Sequence, residues 1–205
     1  MNNLINNYLI IDNLLNKNES NIVEKNMYNS SFPWFLSADR DDKNNIYTSP
    51  FKLLKKFNSN TNVVDKGQFV HTFYYTENKV LVENSSYKDI PLKILSNLIN
   101  KINKKNITML RAKANLILES KYYTKNSYGV PHIDTEEDHY VLIYYVNDCD
   151  GDTILFNKDN SIFKKISPKK GRGLFFKGNI THAGGHPVDS QNRCVINFNL
   201  NFKND

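Results

Sequence analysis

The stretch RCVINFNLNF, residues 193–202, decides how this chain is read. If it is a strand, Arg193, Val195, Asn197 and Asn199 share one face, while Cys194, Ile196, Phe198 and Leu200 share the other. The second face is apolar and suits packing against a helix. The first carries a cation and two amides inward, which is costly unless something inside needs them. A dicarboxylate would satisfy the arginine, because a guanidinium fork pairs a carboxylate through two parallel hydrogen bonds.

Upstream of this strand the chain reads almost entirely as β. The segments ITMLRAKANLILES, GVPHID, YVLIYYVN, GDTILFN, SIFKKISP and GLFFK are strand-like and separated by turn residues at short intervals. GQFVHTFYYTENKVLVE predicts a hairpin around Thr76–Asn78, and SSFPWFLSA is also β-prone. One clear helix precedes them. DIPLKILSNLINKIN has Asp89 at the N-cap, Pro91 in the first turn, and Leu92, Ile94, Leu95, Leu98, Ile99 and Ile102 on one face. Many short strands with a packed helix predict a sandwich or barrel of strands buttressed by helix. Residues 1–30 are polar with scattered Leu and Ile, and predict a peripheral helix or arm.

A length of 205 residues suits a single domain with a real core. The net charge is +6 and the pI about 9.1. A basic balance is compatible with nucleic acid, but the lysines are dispersed and no zinc-finger or RNP-type signature accompanies them, so a solvated lysine-rich surface suffices. Two cysteines, Cys149 and Cys194, make no disulfide framework, and a reducing interior follows. The first residues lack a basic n-region and a continuous apolar run, and no segment has the apolar length of a membrane span. The expectation is a soluble, cytoplasmic protein.

PHIDTEEDH, residues 131–139, concentrates groups that bind metals or move protons. In a strand, His132 and Asp134 point to the same face. An imidazole and a carboxylate so placed are two members of the 2-His-1-carboxylate triad of non-haem Fe(II) oxygenases. The third ligand is expected at His182, which follows the strand GLFFK and sits among small residues in GNITHAGG.

The ordered set His132-x-Asp134, IYYVN, DGDTILF, His182 and Arg193 resembles the 2-oxoglutarate/Fe(II)-dependent dioxygenases. The nearest branch is the prolyl 4-hydroxylase-like enzymes, including small versions carried by viruses and marine microbes. The similarity runs from about Arg111 to Phe202. It implies a mainly β (α+β) fold with a double-stranded β-helix (jelly-roll) core, spanning 107–203 of a single domain, with 1–60 as a peripheral N-terminal region. It implies Fe(II) on His132, Asp134 and His182, and 2-oxoglutarate held through its distal carboxylate by Arg193. Tyr145 matches a tyrosine that hydrogen-bonds the same carboxylate, and Asn115 and Asn197 face the pocket. O₂ is the oxidant, with ascorbate as a reductant. The implied reaction decarboxylates 2-oxoglutarate to succinate and CO₂ while hydroxylating a C–H bond.

The same resemblance favours a prolyl residue in a peptide or protein as substrate. Nucleobase-repair dioxygenases share the metal motif but carry a second arginine soon after the first, and beyond Arg193 this chain has none. Nucleic-acid or small-molecule oxidation therefore ranks behind peptide hydroxylation. A non-catalytic cupin-like binding module and a zinc hydrolase on the same three ligands are the rivals from other classes.

Other polar residues have plainer readings. His139 is expected in a surface loop, His186 in a turn, and His71 as a packed strand histidine. Glu136, Glu137 and Asp138 read as solvated loop acids. Tyr122, Tyr123 and Tyr128 either pack their loop or line a substrate groove.

Overall fold

β11 (Asn192–Phe202) lies near the middle of an eight-stranded antiparallel sheet, as its alternation requires of a strand buried on both faces. The structure, a computed structural model, describes residues 7–37, 62–64 and 67–202. The chain order is β1 (Tyr8–Ile11), α1 (Lys17–Met27), β2 (Phe35–Ser37), β3 (Gln68–Glu77), β4 (Val80–Glu83), α2 (Asp89–Ile102) and β5 (Ile107–Leu118). It continues with β6 (Tyr140–Tyr145), β7 (Thr153–Phe156), β8 (Ile162–Ile166), β9 (Gly173–Lys177), β10 (His182–Gly184) and β11. The large sheet runs β1-β9-β6-β11-β5-β3-β2, with β4 attached to β3, and a small sheet runs β10-β7-β8. This mainly β arrangement with two described helices is a jelly-roll core.

The two faces of β11 organise the layers. Cys194, Ile196, Phe198 and Leu200 pack in one core with Val23 and Met27 of α1 and Ile94, Leu95 and Leu98 of α2. On the other side, Val141, Ile143, Tyr145 and Val195 of the large sheet meet Leu155 and Ile166 of the small one. Full burial of an aliphatic side chain such as Leu98 or Ile94 contributes about 1.5–3 kcal/mol. The helices thus press the large sheet from outside, and the small sheet closes over its inner face.

Several local expectations meet corrections. Asp89 lies inside α2, and the N-cap is Lys88, which makes no side-chain capping bond. Asp89 still places its charge in the first turn, where the helix dipole favours it. Leu92 is 42% exposed, because the buried stripe runs through Ile90, Ile94, Leu95 and Leu98. GVPHID forms no regular strand: within it only His132 pairs, through an isolated antiparallel bridge to His182. Pro131 has no N–H to extend such a ladder, and β10 is only three residues long and already pairs with β7 on its other edge.

The N-terminal residues carry more structure than a helix alone. β1 pairs with β9 at the edge of the large sheet, and α1 begins with a reciprocal capping box between Asn16 and Glu19. The hairpin between β3 and β4 turns on Asn78 and Lys79, both at positive φ (49° and 64°), as a tight two-residue connection demands. Among the described residues no helix is long and apolar enough to cross a membrane.

Candidate active site

The inner face of the large sheet and the inner face of β10 enclose a cavity of about 880 Å³. Alternation along β11 aims Arg193, Val195, Asn197 and Asn199 into it. The same alternation along β5 aims Arg111, Lys113, Asn115 and Ile117, and the register sets Asn197 opposite Lys113 and Asn199 opposite Arg111. On β10, His182 and Gly184 face the cavity, while Ala183 packs outward with Phe156.

His132, Asp134 and His182 come together at this cavity, with one possible ligand atom from each and all three within 4.8 Å of one another. The pairing is direct. His132 N–H donates to His182 O and His182 N–H donates to His132 O, each at 2.9 Å. The two imidazoles then flank Asp134: His132 Nε2 lies 3.9 Å from Oδ1 and His182 Nε2 lies 3.9 Å from Oδ2. Two donors on one ion, each at about 2.1 Å, are at most about 4.2 Å apart, so small side-chain rotations bring all three onto one centre.

The tautomers suit ligation. His132 Nδ1 is 2.8 Å from Val130 O and His182 Nδ1 is 3.2 Å from Ile180 O. A carbonyl only accepts, so each Nδ1 carries the proton and each Nε2 presents a lone pair. Burial lowers the His182 pKa and keeps the ring neutral, against the opposing pull of Asp134. Burial alone would raise the Asp134 carboxyl. The charges of Arg111, His182 and His132 and the Asn197 amide overcome it and hold the group well below the usual carboxylate range. Two neutral nitrogens and one carboxylate oxygen are the donor set of a divalent first-row metal such as Fe(II).

Arg193 is buried, and its hydrogen bonds run to neutral oxygens. Nε donates to Gly151 O at 2.8 Å and Nη2 to Thr153 Oγ1 at 2.9 Å. Among the described residues it meets no carboxylate. A side chain on Gly184 would press on the guanidinium, since a Cβ there would lie 3.1 Å from Nη1. A buried guanidinium balanced only by neutral groups is a site prepared for an anion. Tyr145 is fully buried behind this arginine and donates from its hydroxyl to Thr153 Oγ1 at 2.7 Å. Burial pushes its pKa up to about 12 against the opposing charge of Arg193, so the phenol stays protonated.

Asn115 and Asn197 both line the cavity, and the Oδ1 atom of each is buried without a hydrogen-bond partner. Asn197 Nδ2 donates to both oxygens of Asp134, at 3.2 and 3.3 Å. Arg111 is a site residue that the sequence reading passed over. Its Nη2 donates to Asp134 Oδ1 at 2.9 Å and to Asn199 Oδ1 at 3.3 Å. The signal was available, because alternation in RAKANLIL sets Arg111 and Lys113 beside Asn115 on one face.

The remaining histidines divide. His139 is buried rather than in a surface loop, and its ring lies against Gly178 so closely that a Cβ there would overlap it. It does not join the cluster of possible ligands. His186 is also buried; it lines the cavity and stacks on Tyr123 with ring centroids 4.0 Å apart. His71 packs among Phe32, Phe73 and Tyr87, as expected of a core histidine. Glu136, Glu137 and Asp138 are exposed.

Fold and site together define a jelly-roll protein with a His-x-Asp…His cluster placed so that it could hold a metal ion. Residues 119–201, which contain those three residues and Arg193, match the family model described as the 2OG-Fe(II) oxygenase superfamily. No curated protein matches the sequence. Among solved structures, the chain is similar to a 2OG-Fe(II) oxygenase family oxidoreductase from Burkholderia pseudomallei, with 11% identity over 69% of this chain and 71% of that one and a TM-score of 0.54. It is also similar to the viral collagen prolyl hydroxylase of Paramecium Bursaria Chlorella virus-1, with 16% identity, 96% of each chain covered and a TM-score of 0.50. A third is the Trichoplax adhaerens prolyl hydroxylase solved with a hypoxia inducible factor peptide, with 16% identity, 97% and 86% covered and a TM-score of 0.55. At these identities the likeness is one of fold.

Proposed function

We propose that the protein is an Fe(II)- and 2-oxoglutarate-dependent hydroxylase acting on a prolyl residue of a peptide or protein. The observation that carries this reading is the convergence of His132, Asp134 and His182 in the same cavity as a buried arginine that lacks a carboxylate partner among the described residues. A zinc hydrolase on the same ligands gives no reason for Arg193. The prolyl substrate is supported by the prolyl hydroxylases among the structures of similar fold.

His132, Asp134 and His182 would hold the metal, and Arg193 the distal carboxylate of 2-oxoglutarate. Bound Fe(II), 2-oxoglutarate and O₂ supply the oxidising power for C–H hydroxylation, with succinate and CO₂ as co-products and ascorbate as a reductant. The chain's own work is positional. The carbonyls of Val130 and Ile180 fix the imidazole tautomers, and Asn197 and Arg111 hold the Asp134 carboxylate. Thr153 and Gly151 orient the Arg193 guanidinium, with the Tyr145 phenol bracing Thr153 from behind. Asn115 and Asn197 line the same cavity, and the Asn197 amide is engaged with Asp134.

Purified protein with Fe(II) is expected to release succinate from 2-oxoglutarate, and His132→Ala or Asp134→Ala to abolish it. Activity that survives both substitutions excludes the mechanism. Proline-rich peptides screened beside oligonucleotides, with mass spectrometry for one added oxygen atom, test the substrate class.

A further inference from the structure

The pairing of β3 with β5 is irregular at one point, and that point lies on the cavity wall. Its register shifts between Thr72 and Tyr74, so that Phe73 is an extra residue in the ladder. Phe73 and Tyr74 are consecutive, yet both are buried in the core on the helix side of the sheet. Regular alternation from Thr72, which lines the cavity, would turn Tyr74 inward and Tyr75 toward the helices. The bulge reverses this and delivers Tyr75 to the cavity. Its neighbours fix the position: Tyr74 lies opposite Ala112, and Thr76 Oγ1 donates to Leu110 O at 2.7 Å. Tyr75 therefore stands at the level of Arg111, whose guanidinium reaches Asp134.

Tyr75 is half-buried, and among the described residues its side chain makes no hydrogen bond and no contact with another ring. A phenol brought to a cavity wall by a broken ladder, with no ring against it, offers an apolar face to what the cavity binds. Lys79, Arg111 and Lys113 line the same wall, so a cationic group, the other natural partner of such a face, is repelled. A neutral saturated ring fits instead, its polarised C–H bonds meeting the negative face of the phenol, as those beside the amide nitrogen of proline can. We infer that Tyr75 is a specificity-determining residue whose face packs on a proline next to the oxidised residue of the substrate. The Arg111 side chain intervenes between Tyr75 and Asp134, which makes the group on Tyr75 a neighbour of the oxidised residue. This role rests on the hydroxylase reading for what happens at the metal, but recognition of the ring is measured without turnover.

The test uses the full chain loaded with Mn(II) and 2-oxoglutarate under argon. Fluorescence anisotropy then compares labelled peptides of one sequence, in which the residue on either side of a fixed proline is proline, alanine, leucine or arginine. The form with adjacent prolines is expected to bind about fivefold more tightly than the others. Tyr75→Phe keeps the aromatic face and should keep the gap, while Tyr75→Leu should remove it. Pentafluorophenylalanine at position 75 keeps the bulk but inverts the charge of the face, and should also remove it. Circular dichroism confirms the fold of each variant, and should Tyr75→Leu not fold, the fluorinated variant alone decides. No gap in the natural protein, or no binding of any of these peptides, overturns the role of Tyr75. So does a gap that is lost in Tyr75→Phe or that survives the leucine or fluorinated replacement. Succinate release by the Fe(II)-loaded natural protein in air reports on the oxygenase reading alone. Succinate without proline preference removes this role and keeps the enzyme, while preference without succinate does the reverse.

Discussion

Arg193 and Tyr145 meet at one oxygen: the guanidinium Nη2 and the phenol hydroxyl both donate to Thr153 Oγ1, at 2.9 and 2.7 Å. The two lone pairs of the threonine hydroxyl are filled from the β11 and β6 sides. The arginine is thereby held by a neutral group that leaves its charge available.

Thr153→Val keeps the shape and removes that shared acceptor. Two buried donors lose their partner, at a cost of about 1–3 kcal/mol. The KM for 2-oxoglutarate is expected to rise about tenfold with a smaller effect on kcat. Thr153→Ser, which retains the hydroxyl, should behave as the natural protein. Succinate production against 2-oxoglutarate concentration measures both.

A metal that binds the folded protein at the triad stabilises it by mass action, by about 2.7 kcal/mol when its free concentration is a hundred times its Kd. Thermal melts with and without anaerobic Fe(II) should therefore differ in the natural protein. In Asp134→Asn the difference should shrink or vanish, because the anionic donor is gone. Equal metal-dependent shifts in the two proteins would contradict the assigned ligands.

Gly178 has no room for a side chain, since a Cβ would fall on the His139 ring. Gly178→Ala is expected to destabilise by about 1–3 kcal/mol in urea denaturation. The double variant with His139→Ala should lose less than the sum of the two single losses, because removing the ring opens the space.

The outer core gives a contrast within one helix. Leu98 is fully buried and Leu92 is 42% exposed. Leu98→Ala should cost about 2–5 kcal/mol, and Leu92→Ala about 0.5 kcal/mol or less. Equal losses would mean that α2 presents a different face to the sheet.

Asp150 caps the segment before Arg193. Its carboxylate accepts from the backbone N–H groups of Val188, Asp189 and Ser190. Partial burial pushes its pKa up, but these hydrogen bonds prevail and lower it. A group with a depressed folded pKa stabilises above its unfolded value, about 3.9 for aspartate, and that stability is lost as pH falls through the folded value. Asp150→Asn should lower the melting temperature at neutral pH and flatten its dependence on pH in the acid range below about 4. Melts across that range provide the check.

Local periodicity was legible in the residues themselves. The two faces of β11, and the buried face of α2 apart from Leu92, follow from side-chain directions set by backbone geometry within one element. The two-residue turn at Asn78–Lys79 is equally local and fell within a residue of its expected place. The ligand types at 132, 134 and 182 were visible for the same reason: donor chemistry belongs to a side chain wherever it sits. Misplacements arose where the deciding partner lay elsewhere in the chain. GVPHID alternates well enough for a strand, yet a strand needs a neighbour, and His132 finds only His182. His139 reads as a loop residue among acids until Gly178, thirty-nine positions away, supplies the flat surface its ring covers.

By itself, then, the amino-acid order determined which faces are apolar, which residues can bind a metal, and that a cation points inward from the last strand. Only the tertiary structure decided that Arg111 grips Asp134 and that Tyr145 braces Arg193 through Thr153. It also left Arg111 and Lys113 together on a cavity wall. These are relations of register between strands remote in sequence, where a shift of one residue turns every side chain to the opposite face.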